Sequence, residues 1–383
     1  MTTPSSSQSI EFLQDNDLAQ QFLESIEREP LLAMDTEAAS FHRYHDRVYL
    51  LQLSTRERTA VIDPLQVTHL DILGRRLADP DTEVVFHDGD YDLRMLDRDY
   101  GFRARNVFDT RIAAQLLNEP GIGLAAMLEK YLGITLDKRF QRADWSRRPL
   151  LPGMLEYAAM DTRYLPQLRD ILQEKLTQMG RLTWAKEEFA ALEEVRWSPG
   201  TTEEGFWKIK GAKQLRGPAV SILRELYLWR DQVARQLDRA PFRVLNNETL
   251  VELAEAQPRT PAALKTVRGI STEVIQRRGN DILAAVERGL AVPTSEIPRP
   301  ERGPRTRPDP EYLERVERLK LARNAEATRV DLPPGVLCPN GTLEAVARLE
   351  PKTTEELRQV AELRRWQCEV IGAALIEALR RPA

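Results

Sequence analysis

Cysteine is scarce in this chain: two residues, Cys338 and Cys368, among 383. So low a count excludes a disulfide scaffold, and neither residue has a second metal-ligand pair nearby, so both read as ordinary thiols. Long apolar runs are also missing. No stretch approaches the roughly 18 uninterrupted apolar residues of a membrane span. The opening MTTPSSSQSIEFL lacks the basic-then-apolar order of a signal peptide. A protein with no membrane association, soluble and cytoplasmic, is expected, with no sign of an obligate protein partner. A dominant charge sign is lacking as well, since the net charge is −4. That balance conceals an uneven spread: residues 205 to 290 hold 15 Lys and Arg against 9 Asp and Glu, giving +6 there and −10 elsewhere. A local basic module inside an acidic chain points weakly to a polyanion, because charged helix faces are commonly just solvated.

What is present is enough apolar material, 42%, to fill the cores of two or three domains. The runs LLAMD (31 to 35), VYLLQLS (48 to 54), TAVID (59 to 63) and EVVFHD (83 to 88) read as short buried strands. Helical periodicity follows over 67 to 79, 91 to 99, 109 to 118, 123 to 132 and 151 to 179, so residues 1 to 200 form an α/β domain with a mixed sheet flanked by helices. Strand signals then stop. Six prolines between 291 and 310 mark a linker. On either side lies a repeat: Arg230, Leu250, Pro258 and Leu264 recur as Arg323, Leu343, Pro351 and Leu357, each displaced by 93 positions. Two all-α modules are expected, at 205 to 290 and 311 to 383. Residues 311 to 380 carry 11 basic and 12 acidic side chains, so the first copy is the better candidate for holding a nucleic acid.

Carboxylates recur where apolar segments end. Asp35 and Glu37 are two apart at the end of a strand, which turns both to one face. Asp92 lies one turn into a helix beside Leu93, while Asp88 and Asp90 suit turn and cap positions. Tyr157 and Asp161, four apart on a helix, share a face. Taken singly, each has an ordinary reading: a solvated strand end, or a tyrosine packed in a core. Together, four carboxylates on three elements suit two hard divalent cations, which would clamp the attacking and leaving oxygens of a phosphodiester. A phenol beside them could orient the attacking water.

The segments D-T-E (35 to 37), Y-L-L-Q-L-S (49 to 54), F-H-D-G-D-Y-D-L-R-M-L (86 to 96) and Y-A-A-M-D-T-R-Y-L (157 to 165) resemble, in order and spacing, the three motifs of the DEDD family of 3′-5′ exonucleases. K-R-F-Q-R-A-D-W-S-R-R-P-L (138 to 150) resembles the ribonuclease D type in particular, and the two helical modules resemble the helicase-and-RNase-D C-terminal (HRDC) domain. The resemblance implies an RNase H-like exonuclease fold and metal ligation by Asp35, Glu37, Asp92 and Asp161 around two Mg²⁺ or Mn²⁺ ions. The family divides by its water-orienting residue. None of the four histidines (His42, His45, His69 and His87) is near Asp161 in sequence, so Tyr157 places the chain in the tyrosine branch. Hydrolysis of RNA from a free 3′ end, release of nucleoside 5′-monophosphates, and trimming of tRNA precursors with 3′ extensions are implied with it.

Lys138, Arg142, Trp145 and Arg148, next to the third motif, and Lys208, Lys210, Lys213 and Arg216, opening the basic module, are the cations and aromatic ring that a single strand would require. A folded connector or a solvated face would explain them equally. His87 reads as a strand-end histidine held by a backbone bond. Two rivals share these motifs: a single-strand DNA 3′-5′ exonuclease and an inert nucleic-acid-binding scaffold. All five site residues are intact, which speaks against the second. The sugar preference rests on the resemblance.

Overall fold

Buried β-branched and leucine-rich segments make six strands: β1 (Ile10–Leu13), β2 (Leu31–Ala38), β3 (Val48–Ser54), β4 (Thr59–Ile62), β5 (Glu83–Phe86) and β6 (Val107–Asp109). The computed structural model describes residues 9–199, 205–300 and 309–380. The strands form one mixed sheet in the order β1-β4-β3-β2-β5-β6, in which β3 is antiparallel to β2 and β4, while β2-β5, β5-β6 and β1-β4 are parallel. Its outer strands β1 and β6 span only 4 and 3 residues, too few for alternation to mark them, and sequence periodicity missed both.

Alternation along β2 decides which side chains meet which layer. Leu32 and Met34 point into a core with helices α1 (Asn16–Ser25), α2 (Asp71–Ala78) and α3 (Asp90–Tyr100). Leu31 and Ala33 point the other way, toward α4 (Thr110–Leu116), α5 (Leu124–Leu132), α7 (Leu165–Gln178) and α8 (Leu182–Glu193), while α6 (Pro152–Arg163) packs on β2 and β3. Asp35 and Glu37 continue this second set. The 151 to 179 periodicity resolves into two helices, because Tyr164 ends α6 and Pro166 suits the first turn of the next helix, whose missing N–H is no loss there.

The remaining helices repeat one plan: α9 (Pro218–Leu237) to α13 (Thr272–Ala291), then α14 (Pro310–Arg329) to α18 (Arg365–Arg380). In the first copy the buried Arg230 donates through Nη1 to Leu245 O and Asn247 Oδ1, both at 2.9 Å. In the second, Arg323 donates to Cys338 O at 2.9 Å and Asn340 Oδ1 at 2.8 Å, the same atoms 93 residues on. Left-handed backbone recurs at Asp238 and Asp331 and at Gln257 and Glu350. Thr260 and Thr353 cap the short fourth helix of their copies, each accepting at 3.2 Å.

The copies fall into different compact units. The second belongs to the same unit as the sheet, whereas the first forms a unit of its own with residues 39–47. Within that unit Tyr44 Oη donates to Asp231 at 2.9 Å and accepts from Arg235 at 3.0 Å, and the Phe41 and Phe242 rings meet edge-on at 6.3 Å. The second copy is fixed to α8: Trp366 stacks on Trp184 with centroids 4.8 Å apart and donates from Nε1 to Glu188 at 2.8 Å. Arg181 reaches Leu116 O at 2.6 Å and also bonds Val330 O. Cys338 and Cys368 are free and buried. Because Trp366 is 1% exposed, Trp366→Ala should destabilise this unit by about 3–5 kcal/mol. Thermal or denaturant unfolding checks this, and an unchanged transition would show that the stacked pair contributes nothing.

Candidate active site

The end of β2 outruns β5, whose pairing stops at Ala33, so the N–H of Thr36 has no strand partner on that side. The helix after β5 supplies one. Asp92, in the first turn of α3, accepts from the Thr36 N–H at 3.0 Å and from its hydroxyl at 2.5 Å, through the same oxygen. This ties the second carboxylate-bearing element to the first. Helix α6 is tied on through Thr162, whose hydroxyl meets Ser54 of β3 at 2.8 Å, and the adjacent Asp161 then faces β2.

As a result Asp35, Glu37 and Asp161 present carboxylate oxygens within 4.8 Å of one another. Asp92 is set slightly apart by its bonds to Thr36 but remains close enough to raise the pKa values of the other three. Burial pushes all four upward: with added repulsion from cluster neighbours, Asp35 and Glu37 lie well above the carboxylate range and Asp161 rises to about 7, while Asp92, which Asp109 repels and the Thr36 bonds hold down, rises to about 6. Oxygen-only donors packed this closely, with no lysine or arginine among them, are the donor set of a hard divalent cation.

The cluster opens into a cavity of about 650 Å³, which Asp35, Asp161 and Tyr157 line together with Lys138, Arg139 and His87. Tyr157 is braced by Phe140 at 6.2 Å and Trp145 at 6.0 Å, and its hydroxyl makes no hydrogen bond among the described residues. Burial and the nearby carboxylates raise its pKa, so it stays a neutral phenol.

The neighbours named from sequence divide sharply. Lys138 is exposed on the cavity wall, and so is Arg139, which sequence did not single out. Arg142 is exposed but does not line the cavity. Trp145, expected to meet bases, is 1% exposed and backs Tyr157 instead. Arg148, expected to meet phosphates, is committed to the fully buried Asp63, at 2.5 and 2.7 Å, and to Tyr49 O at 2.9 Å. Both are structural because a buried ring and a paired guanidinium are unavailable to a strand. Lys208, Lys210, Lys213 and Arg216 are all exposed, in the other unit.

His87 bonds a side chain, not backbone: Nδ1 meets Thr110 Oγ1 at 2.9 Å, and that hydroxyl donates to Phe86 O at 3.0 Å. With its one proton so used, Thr110 accepts from Nδ1–H, which leaves Nε2 as an acceptor. Burial and Arg111 lower the imidazole to about 4, so it is neutral near pH 7. Asp109, which sequence passed over, accepts from the N–H groups of Gly89, Arg111 and Ile112 at 2.8 to 2.9 Å and fixes the loop that carries Asp88 into α3. Only its place one residue before a helix hinted at this. Asp88 occupies a left-handed turn and pairs with Arg111, while Asp90 is the first helical residue rather than the cap and pairs with Arg94. Gln52 lies directly opposite Asp35, and neither of its buried amide atoms has a partner among the described residues.

Residues 10–177 match the model of a 3′-5′ exonuclease family, and residues 220–286 and 313–379 each match the HRDC domain. The chain is 33% identical to ribonuclease D of Escherichia coli over 72% of its own length and 74% of that protein's. It is 30% identical to ribonuclease D of Pseudomonas paraeruginosa over 97% of both chains. This chain belongs to the ribonuclease D family. The crystal structure of Escherichia coli RNase D, described as an exoribonuclease involved in structured RNA processing, superposes with a TM-score of 0.73 at 27% identity, covering 97% of this chain and 99% of that one. Membership makes the chain a hydrolase of the 3′-5′ exoribonuclease class, and the mixed sheet followed by HRDC modules is the architecture its sequence implied.

The raised carboxyl pKa values set a direction for pH. Protons compete with a cation for the same oxygens, so divalent affinity should climb as pH passes through about 6 and 7, where Asp92 and Asp161 deprotonate. In chelator the same shifts act on stability with the sign of acids raised by folding: their contribution is full below about pH 4 and is lost as pH rises through 6 to 7. Mn²⁺ titration by calorimetry at pH 5.5 and 7.5 should show at least about a tenfold gain at the higher pH. Equal affinities would mean that these carboxylates do not hold the ion.

Proposed function

We propose that the chain removes nucleotides one at a time from a free RNA 3′ end by hydrolysis and releases nucleoside 5′-monophosphates, with tRNA precursors bearing 3′ extensions as the substrates. The observation that carries the reading is the convergence of Asp35, Glu37 and Asp161 within 4.8 Å on a cavity shared with Tyr157. Asp35, Glu37, Asp92 and Asp161 would hold two divalent cations, Mg²⁺ or Mn²⁺. Such ions supply Lewis-acid neutralisation of the charge that builds on a phosphodiester as it is attacked. The division into an exonuclease domain over 1–200, HRDC-like modules over 205–290 and 311–383, and a linker between them belongs to the same reading.

The residues of the chain then take separate tasks. Asp92 is locked by Thr36, so one ligand is preorganised before substrate arrives. Tyr157, held neutral and braced by two rings, has a hydroxyl free to hydrogen-bond the attacking water and align it with phosphorus. Lys138, on the cavity wall, meets the phosphates of the terminal nucleotides, whereas the neighbouring Arg139 is paired through Nε with Asp137 at 2.5 Å. The Nε2 acceptor of His87, on the cavity, would favour RNA over DNA by accepting from the 2′-hydroxyl that DNA lacks.

Incubating the protein with 5′-labelled and 3′-labelled RNA and DNA single strands, in Mg²⁺, Mn²⁺ or EDTA, tests polarity, sugar choice and metal need together. Ladder shortening from the 3′ end of RNA alone, abolished by EDTA, is expected; cleavage inside the strand, or activity in EDTA, would overturn the reading. Asp35→Asn and Asp161→Asn should nearly abolish turnover without unfolding the chain, and near-normal turnover in either would remove the carboxylates from the site. Tyr157→Phe should lower kcat by about 10² or more with little change in KM. A change confined to KM would make Tyr157 a binding residue.

A further inference from the structure

The unit that contains the first helical module holds a second large cavity, of about 580 Å³. Trp207, Lys213 and Arg216 form one wall, Ile297 and Arg299 the other, and Val220 adds an apolar side chain. None of the described residues lining it is acidic. Two features show that it is a feature apart from the helical repeat. Its lining comes almost wholly from residues before 220 and after 286, outside the HRDC match, and only Val220 falls inside. Nor is it duplicated: 93 positions on, Trp207, Lys213 and Arg216 correspond to Pro300, Thr306 and Asp309, so the second copy has neither the ring nor the cations.

The far wall comes from the proline-rich stretch that reads as a linker. Residues 294–300 are described, and Ile297 packs against the module's core, which brings Arg299 to the cavity. The other half of that stretch, 301–308, lies outside the described residues. Opposite, Arg216 spends Nη1 on the carbonyls of Lys213, Gln214 and Leu215 at 2.7 to 3.0 Å, which fixes the turn that carries both cations. Its remaining nitrogens make no bond among the described residues. Lys213 and Arg299 have no ion-pair partner there either. Lys208 and Lys210, from the same basic run, do not line the cavity.

Three unpaired cations beside an indole ring form a site for an alternating phosphate and base. We propose that this groove is a second binding site for single-stranded RNA, in which Lys213, Arg216 and Arg299 hold consecutive phosphates and Trp207 stacks on a base. It deepens the exoribonuclease reading and rests on it: the groove engages the body of the strand whose 3′ end is trimmed. The absence of any acid in the lining favours a polyanion, and the ring favours a nucleic acid over an acidic peptide.

The test is fluorescence anisotropy of a labelled single-stranded RNA of about 12 nucleotides with the full chain in EDTA, where binding is read without hydrolysis. The triple variant Lys213→Ala, Arg216→Ala, Arg299→Ala should bind at least about tenfold more weakly. The dependence of log Kd on log salt should flatten by about 2 units, at roughly 0.7 for each lost single-strand contact. Trp207→Leu should weaken binding by about fivefold or more, and Trp207→Phe should restore most of it by keeping a stacking ring. Wild-type affinity and salt slope in the triple variant would overturn the proposal. So would an equal loss in Lys208→Ala, Lys210→Ala, which would reduce the effect to net charge, and so would displacement of RNA by poly-glutamate at equal charge concentration, which would assign the groove to an acidic protein. If the wild type fails to shorten RNA when metal is added, the exoribonuclease reading fails, while binding in EDTA still reports on the groove.

Discussion

Like charges held together in a buried place are the constraint on which the catalytic unit depends. Carboxylates about 5 Å apart repel by about 3 kcal/mol per pair at an effective dielectric near 20. Several such pairs converge on Asp35, Glu37, Asp92 and Asp161. The backbone cannot spread to relieve them, because each group sits on an element pinned elsewhere: β2 in the centre of the sheet, α3 by the Thr36–Asp92 bonds, α6 by Thr162 against Ser54. Burial, together with repulsion that cannot relax, appears as raised pKa values, and the same unfavourable charge environment favours a cation. The acidic cluster and the rigid sheet are therefore one device.

What the sequence made legible follows from how local each relation is. Asp35 with Glu37, and Tyr157 with Asp161, are fixed by the periods of strand and helix, so their shared faces can be read without a fold. Asp92 was readable because it lies one turn into an amphipathic helix beside the apolar Leu93, where a turn or cap role does not account for it. Trp145 and Arg148 were misread for the opposite reason. Their roles depend on partners 12 and 85 residues away, Tyr157 and Asp63, and nothing nearby in the chain distinguishes an exposed cation from a paired one. Arg139 and Arg142 differ in the same way: three positions separate them, yet only the first reaches the cavity.

The bond network of Asp109 illustrates the remainder. It follows a three-residue strand too short for periodicity to reveal, and its importance lies in gathering N–H groups from Gly89 and from its own helix. A residue of this kind orients the second motif through its backbone, at Gly89, rather than through the motif's carboxylates. Gln52 stands beside Asp35 across the strand pair, inside a motif whose apolar neighbours read simply as core.

The helical repeat shows how one frame serves two ends. The arginine anchor, the two left-handed turns and the threonine cap recur 93 residues apart, so the fold of the module does not determine what its surface does. At the start of the last helix the first copy has the exposed Glu273, and the second has Trp366, which stacks on Trp184 and fuses that copy to the sheet-bearing unit. That position, together with the Arg181 bond to Val330 O, distinguishes the copy joined to the sheet-bearing unit from the copy that forms a separate unit. The cations proposed to hold the strand lie in the flanks of the first copy, at Lys213, Arg216 and Arg299, where they add charge without disturbing the shared frame. Removing the whole helical half would uncover Trp184 as well as delete the basic groove. Binding and stability are separable in this chain only by changing side chains, not by cutting it.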